Sequence, residues 1–280
     1  MTRPTVLVTG ATDGIGRQTA LNLARLGARV LVHGRNRRRV EAAAEALGAA
    51  GGEAVEPVAG DFASLVQVRT LAGEILSLTD RLDVLVHNAG VYMKSRSVTE
   101  DGLETTFQVN HLAPFLLTHL LLDRLKAAPA ARIVVVTSVA HQGGYIDFQN
   151  LQGERAYDAY DAYASSKLAN LLFSIELADR LKATRITVNA LHPGTIGTKL
   201  LREGFNMGGA DVEHGARTST YLATSPEVEG STGGFYMDCQ LTASSLFAAD
   251  PALRARLWEV SETLARLAPG ERIRSLAAQD

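Results

Sequence analysis

Short apolar runs alternate with longer amphipathic segments along most of the chain. The runs are rich in Val, Ile and Leu and have the length of strands: Thr5–Thr9, Ala28–His33, Ala54–Val58, Leu82–His87, Arg132–Thr137 and Ile186–Leu191. Strands that are apolar on both faces are typical of a parallel sheet with helices packed on both sides. The pattern therefore predicts an α/β fold, a doubly wound Rossmann domain with a parallel sheet of about seven strands.

The segments between these runs carry apolar residues at helical spacing. They predict helices over Gly14–Leu26, Asn36–Ala50, Phe62–Leu78, Leu103–Lys126 and Tyr160–Leu181, and a surface helix within Pro251–Leu267. No linker rich in Pro, Gly or Ser and no internal repeat interrupts the alternation. We therefore expect residues 1–280 to form one domain.

Three connections are longer and more polar than simple turns: Tyr92–Thr99, Ala140–Tyr157 and Gly194–Asp211. They follow the fourth, fifth and sixth predicted strands, on the side where open α/β sheets bind ligands. We expect the loops around 140–157 and 194–211 to form the substrate pocket. Glycines at 204, 208 and 209 favour a mobile lid in the last loop.

Composition narrows the classes of function. A formal net charge of −2 gives no electrostatic reason to expect nucleic acid or an anionic membrane as a partner. The only cysteine is Cys239, which excludes an intramolecular disulfide and fits a reducing compartment. No charged leader precedes the first strand and no run approaches the roughly 20 apolar residues of a membrane span. We expect a soluble, cytoplasmic protein without a membrane span.

Tyr163 and Lys167 carry the most informative chemistry. They lie four residues apart on a predicted helix, so both side chains share one face. An ammonium one turn away favours the phenolate, and we expect it to lower the pKa of Tyr163 towards the range of acid–base catalysis. The same spacing pairs Tyr157 with an acid and Tyr160 with an alanine. The alternative interpretation is an ordinary amphipathic pair on the protein surface.

A glycine-rich turn lies between the first strand and the first helix. It reads Thr9-Gly10-Ala11-Thr12-Asp13-Gly14-Ile15-Gly16. Such glycines let backbone N–H groups approach a pyrophosphate at a helix N-terminus. The turn therefore predicts a dinucleotide cofactor.

The end of the second strand indicates which dinucleotide is preferred. Where an acid would bind a ribose hydroxyl, the chain has His33, Gly34 and Arg35. A guanidinium suits a 2′-phosphate, so we expect NADP(H), with NAD(H) as the alternative cofactor. The competing interpretation is that the arginines at 35 and 37–39 only solvate the start of a helix capped by Asn36.

Further motifs occur in an order that resembles the short-chain dehydrogenase/reductase family, in its retinol dehydrogenase-like branch. They cover the chain from Thr5 to at least Thr198. The motifs are Asp61, His87-Asn88-Ala89-Gly90, Asn110 before His111, Thr137-Ser138 and Pro193-Gly194-Thr195-Ile196-Gly197-Thr198. Two further runs, Leu151–Glu154 and Ser166–Asn170, resemble that branch in particular.

The resemblance implies a division of roles among four catalytic residues. Ser138 would orient the substrate carbonyl and Tyr163 would exchange a proton with its oxygen. Lys167 would hold the ribose hydroxyls and lower the tyrosine pKa, and Asn110 would keep a water in a proton relay. Together with the glycine turn, the resemblance implies cofactor contacts from Gly10, Thr12, Asp13, Gly14, Ile15, Gly16, Arg35, Asp61, Phe62, Asn88, Ala89, Gly90, Tyr163, Lys167, Pro193, Gly194, Ile196 and Thr198.

The histidines give no sign of a second chemistry. His87 stands where the family has asparagine, and we interpret it, like His111, His141 and His192, as a packed and hydrogen-bonded residue. No two histidines have the spacing of metal ligands on a helix, so we expect no catalytic metal. The motif Gly-x-Ser-x-Gly of many hydrolases is absent from the sequence.

These observations predict an NADP(H)-preferring oxidoreductase that interconverts a carbonyl and an alcohol on a hydrophobic small molecule. One alternative is a nucleotide-sugar epimerase or dehydratase, which can share the Tyr-x-x-x-Lys pair. Another is a dinucleotide-binding regulatory protein with a silent redox site. Because members of the resembled family commonly form dimers or tetramers through their long helices, we expect a homodimer or homotetramer with the Tyr163 helix at the interface.

Overall fold

A single sheet organises the protein. The computed structural model describes residues 3–51 and 54–274, and within them eight strands pair in the order β3-β2-β1-β4-β5-β6-β7-β8. All neighbours are parallel except β7 and β8. The strands are β1 (Thr5–Val8), β2 (Arg29–Gly34), β3 (Val55–Ala59), β4 (Val84–His87), β5 (Arg132–Val136), β6 (Thr187–His192), β7 (Phe235–Met237) and β8 (Gln240–Leu241).

Helices cover both faces of this sheet. They are α1 (Gly14–Arg25), α2 (Arg37–Ala49), α3 (Leu65–Leu78), α4 (Thr105–Phe107), α5 (Ala113–Lys126), α6 (Ala159–Arg180), α7 (Lys199–Phe205), α8 (Val212–Thr224) and α9 (Pro251–Leu264). A π-helical turn, Gln108–Leu112, joins α4 to α5. The predicted doubly wound α/β fold is thus confirmed. Within the described residues, no helix is both long and apolar enough to cross a bilayer.

Alternate residues along each central strand belong to two different buried cores, one on each face of the sheet. On the central strands Leu7, Leu31 and Leu85 face one layer of helices. Their neighbours in the chain, such as Val6 and Val30, face the other layer. Successive side chains of a strand point to opposite faces, so a strand apolar at every position must be covered on both sides. This is why the continuous apolar runs predict the sheet.

Strand order reverses beside β1, which has β2 on one side and β4 on the other. The connections leaving β1 and β4 therefore diverge at the carboxyl edge of the sheet and open a crevice there. Such a switch point is where open α/β sheets bind their ligands. The glycine turn after β1 and Asn88–Gly90 after β4 both lie at this point.

The sheet has eight strands rather than the expected seven or so. The additional edge strand β8 is only two residues long, and it returns antiparallel to β7. The turn between them places Asp238 and Cys239 at φ of 47° and 63°. Two consecutive positive φ values match the tight hairpin turn that glycine or asparagine usually forms. Neither the strand length nor the turn residues give a recognisable sequence signal.

The Tyr163 helix, α6, is covered on all sides within the described residues. From Tyr163 to Ala178 no side chain is exposed. The first two turns of α5 are equally buried, because α9 packs across both helices. The surface that we expected to join subunits is therefore occupied by a helix of the same chain. Self-association, with the Tyr163 helix at its interface, stays a prediction.

Trp258 fixes α9 in this position. Its ring lies 4.9 Å from the ring of Phe115 and 6.1 Å from that of Phe173, and the Arg180 guanidinium stacks 4.3 Å above it. The indole N–H donates to Glu262 at 2.9 Å. A tryptophan that is only 3% exposed, with its polar atom paired, contributes strongly to stability.

We expect Trp258→Ala to lower the free energy of unfolding by about 3–5 kcal/mol, because it leaves a large cavity between α5, α6 and α9. Urea unfolding followed by far-ultraviolet circular dichroism measures the change, because this signal does not depend on the tryptophan fluorescence that the substitution removes. Glu259→Ala, at an exposed position on the same helix, is the control and should stay within about 0.5 kcal/mol of wild type. A loss below about 1 kcal/mol for Trp258→Ala would mean that α9 contributes little to the core.

Candidate active site

Three of the four predicted catalytic side chains meet at the carboxyl ends of β4 and β5. Tyr163 and Lys167 lie one turn apart on α6, with the Lys167 Nζ 5.5 Å from the centre of the tyrosine ring. Ser138 follows β5, and its side chain is near enough to Tyr163 to act on the tyrosine pKa. The Lys167 ammonium donates to the Val136 carbonyl at 3.3 Å. Of the three tyrosines considered from the sequence, only Tyr163 is in this cluster with a cation beside it.

Asn110, the fourth residue, lies on the π-helical turn between α4 and α5. Its Nδ2 donates to the Val91 carbonyl at 3.0 Å and to the Ser166 hydroxyl at 2.9 Å, and its Oδ1 accepts from the Val91 N–H at 2.7 Å. Single π-helical turns are frequent at functional sites. Here the turn interrupts the helix predicted over Leu103–Lys126. The described contacts give the Asn110 side chain an anchoring role, whereas the water relay stays a prediction.

Burial controls the ionisation of this cluster. Desolvation raises the pKa of Tyr163 to about 12, and the nearby Ser138 side chain only partly opposes this shift. The same effect lowers the pKa of Lys167 to about 8. The expectation that the pKa of Tyr163 falls towards the range of acid–base catalysis is therefore wrong for the cofactor-free site. The cost of burying a phenolate exceeds the attraction of an ammonium that lies near the ring rather than at the oxygen.

The glycine turn is built for close approach of backbone to backbone. Gly10 has φ of 65°, and a Cβ there would lie 2.8 Å from the Ala89 Cα. A Cβ on Gly16 would lie 2.2 Å from the Asn88 Nδ2 and 2.4 Å from the Gly10 carbonyl oxygen. Neither position can carry a side chain without displacing backbone. The loops after β1 and β4 are thereby packed directly against each other.

The N-terminus of α1 opens into the crevice formed by these loops. Helix geometry leaves the first N–H groups, including those of Ile15 and Gly16, without intrahelical acceptors. The Asp13 carboxylate caps the first of them, accepting from the Gly14 N–H at 2.8 Å. Two donors at a helix N-terminus suit a pyrophosphate. Asp13 itself lies where its charge would oppose a phosphate.

Asn88 supports this turn through its side chain. The Asn88 Nδ2 donates to the carbonyls of Thr9 and Gly10, at 2.9 and 3.2 Å. Its amide is thus committed to the glycine loop, and the backbone N–H groups of Asn88 and Ala89 donate to the Thr9 hydroxyl at 3.0 and 3.1 Å. A Cβ on Gly90 would lie 3.4 Å from both the Asn110 Oδ1 and the Lys167 Nζ. Gly90 therefore brings the β4 loop to the catalytic cluster.

His33 forms the far wall of the crevice, a role that the sequence did not reveal. Its Nδ1 accepts from the Gly10 N–H at 3.3 Å and its Nε2–H donates to the Gly60 carbonyl at 2.9 Å. The ring stacks on Phe62 at 4.6 Å. Burial lowers the pKa of His33 to about 4, so it stays neutral and joins the ends of β1, β2 and β3. A buried neutral ring here replaces the acid that would bind a ribose.

Arg35 and Asn36 follow this wall on the surface. The Asn36 Oδ1 accepts from the Arg39 N–H at 3.1 Å, which confirms the predicted cap of α2. Arg37 pairs with Glu74 at 2.9 Å. Arg35 is exposed and, among residues 3–51 and 54–274, has no carboxylate partner. The helix cap explains Asn36 and the ion pair explains Arg37. Neither involves Arg35, whose guanidinium is therefore available to a ligand.

Asp61 and Thr198 lie on opposite sides of the site. Asp61 borders a cavity of about 300 Å³ that is also lined by Ser64, Gln67 and Thr99. On the other side, a Cβ on Gly14 would lie 3.4 Å from the Thr198 methyl group, so the loop after β6 lies against the glycine turn.

The β6 loop is shaped by its own backbone. Within it, Gly194 follows Pro193 and has φ of 91°. Ile196 is buried and forms an isolated bridge with Ala210. The bridge closes the base of the segment expected to be a mobile lid, which contains α7.

Two aromatic residues beside Tyr163 were not predicted. Tyr92 lies 5.6 Å from the Tyr163 ring and Phe205, at the end of α7, lies 5.5 Å from it. Tyr92 and Phe205 belong to two of the long loops that we expected to be functional. The loops were therefore predictable from the sequence, whereas the residues that contact Tyr163 were not. Tyr92 and Phe205 are 113 residues apart in the sequence, so their side chains meet only once the fold has formed.

The histidines are packed as predicted. His87 donates to Thr118 at 2.7 Å, His111 pairs with Ser261 at 2.8 Å, and His141 donates to the Ser138 carbonyl at 2.5 Å. His192 is buried as well, although its Nδ1 has no partner among the described residues. Burial lowers the pKa of all four, which keeps them neutral at physiological pH.

The buried Lys167 should make stability depend on pH. Its pKa of about 8 in the folded chain lies below the ordinary 10.5, so between these values the unfolded chain binds more protons and stability rises with pH. Relative to Lys167→Met, we expect the free energy of unfolding of the cofactor-free wild type to gain about 2 kcal/mol from pH 8 to pH 10. Urea unfolding at both pH values measures this gain.

Lys182→Met removes a charge from an exposed position and serves as the control for that experiment. The difference in free energy of unfolding between wild type and Lys182→Met should not rise from pH 8 to pH 10. If wild type and Lys167→Met followed parallel pH profiles, the ammonium would not be desolvated in solution.

Comparisons with known proteins agree with this geometry. The family model for short chain dehydrogenase matches residues 4–207. Retinol dehydrogenase 14 of Mus musculus is 44% identical over 284 residues, which cover 93% of this chain and 85% of the relative. Retinol dehydrogenases 13 and 11 of the same organism are 40% and 41% identical.

Solved structures show the same fold. An uncharacterised protein from Mycobacterium paratuberculosis matches with a TM-score of 0.81 at 35% identity, over 95% of this chain and 94% of that one. A short chain dehydrogenase from Escherichia coli CFT073, solved in complex with NADPH, matches with a TM-score of 0.71 at 26% identity, over 86% of this chain and 98% of that one. The protein is therefore an oxidoreductase of the short-chain dehydrogenase/reductase family, in its retinol dehydrogenase-like branch.

Proposed function

We propose that this enzyme prefers NADP(H) and interconverts an aldehyde or ketone and the corresponding alcohol on a hydrophobic small molecule. The observation that carries the proposal is the cluster of Ser138, Tyr163 and Lys167 beside a crevice shaped for a dinucleotide. A nicotinamide bound there would supply or accept a hydride at the substrate carbon. The residues of the chain have to stabilise the charge on the substrate oxygen and transfer its proton.

Tyr163 is the proton donor in the direction of reduction. With a pKa of about 12 it is fully protonated at neutral pH, so its hydroxyl can hydrogen-bond a carbonyl oxygen and then transfer its proton. Ser138 supplies a second donor to the same oxygen, where negative charge develops.

Oxidation of an alcohol requires the opposite charge state of the tyrosine. Lys167, with a pKa of about 8, is mostly protonated at pH 7, and its ammonium favours the phenolate through space. A bound oxidised cofactor would add positive charge to the site. Lys167 also lies against Gly90 in the crevice, where its ammonium can hold ribose hydroxyls.

The cofactor would lie across the switch point of the sheet. The N–H groups of Ile15 and Gly16 suit its pyrophosphate, and Asp61, beside the 300 Å³ cavity, suits its adenine. Thr198 would contact the nicotinamide carboxamide from the β6 loop. Since a Cβ on Gly14 would touch Thr198, the parts of the site proposed for the pyrophosphate and for the nicotinamide adjoin each other.

Preference for NADP(H) rests on Arg35. Its guanidinium is exposed at the end of β2, beside the capped N-terminus of α2, and has no carboxylate partner in the described residues. Among the described residues, the buried and neutral His33 stands where an acid would bind the 2′-hydroxyl. The NADPH complex of the E. coli neighbour supports the same preference.

A hydrophobic substrate is supported by the aromatic residues around Tyr163 and by the names of the relatives, which are retinol dehydrogenases. We place the reaction in the cytoplasm, in keeping with the single cysteine of the sequence. In the part of the chain that the structure describes, no feature of the crevice favours a nucleotide sugar. The presence of Asn110, Ser138, Tyr163 and Lys167 argues against a silent site.

We expect Tyr163→Phe to reduce turnover by a factor of at least about 10², because the proton carrier is removed. NADPH oxidation with a panel of hydrophobic aldehydes and ketones measures turnover. NADPH affinity, measured by calorimetry, should survive within a few fold. Turnover close to that of wild type would contradict the assignment of Tyr163.

Arg35→Ala should weaken NADPH binding by about 10- to 100-fold and leave NADH binding nearly unchanged, because a hydrogen-bonded charge pair with the 2′-phosphate is lost. Calorimetric titration with each cofactor measures the two changes. Asn36→Ala is the control, since it removes the cap of α2 without touching the guanidinium. An equal loss of affinity for both cofactors in Arg35→Ala would show that Arg35 acts on folding rather than on the phosphate.

A further inference from the structure

His141 lies just after Ser138 in the chain and is not one of the four proposed catalytic residues. It belongs to the 3₁₀ turn Val139–Gly143, which begins directly after Ser138. The residue is buried, and its ring packs edge-to-face on Phe235 of β7, with 4.8 Å between the ring centres. Both ring nitrogens have a hydrogen-bond partner, and one of these partners belongs to Ser138.

The partners of the His141 ring fix its tautomer. The Ser245 N–H can only donate, and it lies 3.2 Å from the Nε2 of His141. Nε2 must therefore accept, so the proton of the neutral ring is on Nδ1. The Nδ1–H then donates to the Ser138 carbonyl at 2.5 Å. Burial lowers the pKa of His141, which keeps the ring in this neutral form.

The Ser138 carbonyl receives a second hydrogen bond from the same residue. The backbone N–H of His141 donates to that oxygen at 3.1 Å. A carbonyl oxygen has two lone pairs, so the backbone and the side chain of His141 together satisfy it. One residue thus fixes the direction of the peptide group that follows Ser138.

The hydroxyl of Ser138 depends on the same turn. The Ser138 Oγ accepts from the Ala140 N–H at 3.2 Å, which leaves its own proton for a substrate oxygen. Gly144 follows the turn and lies directly on α6, where a Cβ would be 2.5 Å from the Ala164 carbonyl oxygen. A rotation of the Ser138 carbonyl would turn the following peptide groups and move the Ala140 N–H away from Oγ.

The chain is held on the other side of Ser138 as well. The Thr137 hydroxyl donates to the Lys167 carbonyl at 2.6 Å, and the Thr137 N–H donates to the Leu191 carbonyl at 2.8 Å. Ser138 therefore lies between a residue fixed to α6 and β6 and a turn fixed by His141.

We propose that His141 is a positioning residue, which directs the Ser138 hydroxyl towards the substrate oxygen through its Nδ1–H bond to the Ser138 carbonyl. The proposal rests on the proposed role of Ser138 as the second donor in the carbonyl–alcohol reaction. Such a donor has to lie about 3 Å from the oxygen on which charge develops, and a displacement of about 1 Å can cost about 10²-fold in rate. Loss of the Nδ1–H should therefore lower kcat much more than it raises KM.

Two substitutions of similar size separate the two hydrogen bonds of the ring. His141→Asn places an amide near the position of Nδ1, so it can keep the donor to the Ser138 carbonyl but has no group at Nε2. His141→Gln places its amide near Nε2, so it can keep the acceptor for the Ser245 N–H but loses the donor at Nδ1. Both remove the ring from Phe235, so a merely structural role would affect both variants alike.

The readouts are kcat and KM for reduction by NADPH of the aldehyde that wild type reduces fastest among benzaldehyde, hexanal, octanal and decanal. We expect His141→Gln to lower kcat by about 10-fold or more and to keep KM within about 3-fold. His141→Asn should keep kcat within about 3-fold of wild type. Gln142→Ala changes an exposed residue of the same turn and is the control, which should keep both constants.

A double-mutant cycle shows whether His141 acts through Ser138. Ser138→Ala removes the hydroxyl and should lower kcat by about 10²-fold. If His141 only directs that hydroxyl, adding His141→Gln to Ser138→Ala should change kcat by less than about 2-fold. A general role in loop packing would instead lower the kcat of the double variant by the full factor seen in the single variant.

Nitrogen-15 chemical shifts of the histidine rings test the geometry in the wild-type protein, without any substitution. His141, assigned through its contact with the Phe235 ring, should be the Nδ1–H tautomer. The Nε2–H tautomer would overturn the proposal even if one of the variants fails to fold.

Failure of the positioning role and failure of its premise give different results. If Ser138→Ala is as fast as wild type, or if wild type reduces none of the aldehydes, the premise is wrong and the proposal falls with it. If Ser138→Ala is slow but His141→Gln keeps the wild-type kcat, or if His141→Gln and His141→Asn lose equal factors, only the positioning role is wrong.

Discussion

The side-chain amide of Asn110 joins the three elements that the candidate site needs. It exchanges two hydrogen bonds with the backbone of Val91, after β4, and donates a third to Ser166 on α6. Ser166 lies between Tyr163 and Lys167, and its hydroxyl donates to the Tyr163 carbonyl at 2.7 Å. A fully satisfied buried amide specifies geometry strongly, because each partner left unpaired would cost about 1–3 kcal/mol. The cofactor loop and the catalytic helix are thus fixed relative to each other by one residue.

The packing that protects this amide also sets the ionisation of the site. His111, the neighbour of Asn110 on the π-helical turn, pairs with Ser261 on α9, so the outer helix is tied directly to the turn. Trp258 on the same helix closes the space above α5 and α6. Water is thereby excluded from the back of α6, and desolvation shifts the pKa of Tyr163 upwards and that of Lys167 downwards. A helix that touches no catalytic atom therefore contributes to the acid–base properties of the site.

Much of the architecture was readable from the sequence because it depends on local patterns. Apolar runs predict buried parallel strands, the glycine turn predicts the N-terminus of α1, and the spacing of Tyr163 and Lys167 predicts their shared face. The direction of the tyrosine pKa shift was not readable, since it depends on how completely the rest of the chain buries α6. The same holds for the covering of α6 by α9 and for the meeting of Tyr92 with Phe205, which are contacts between segments distant in sequence. The π-helical turn at Asn110 and the two-residue strand β8 have no sequence pattern of their own.

The loop after β6 combines a local motif that was readable from the sequence with contacts between distant segments that were not. At its base, Thr198 lies against Gly14 of the glycine turn, and the bridge between Ile196 and Ala210 fixes that end. At its tip, Phe205 lies against Tyr163. A seven-residue helix spans roughly 10 Å, so the same short element contacts both the proposed cofactor site and the proton donor. The base is held by backbone hydrogen bonds, and the tip contacts the rings of Tyr92 and Tyr163, so the shape of the cofactor side of the loop does not depend on the ring contacts.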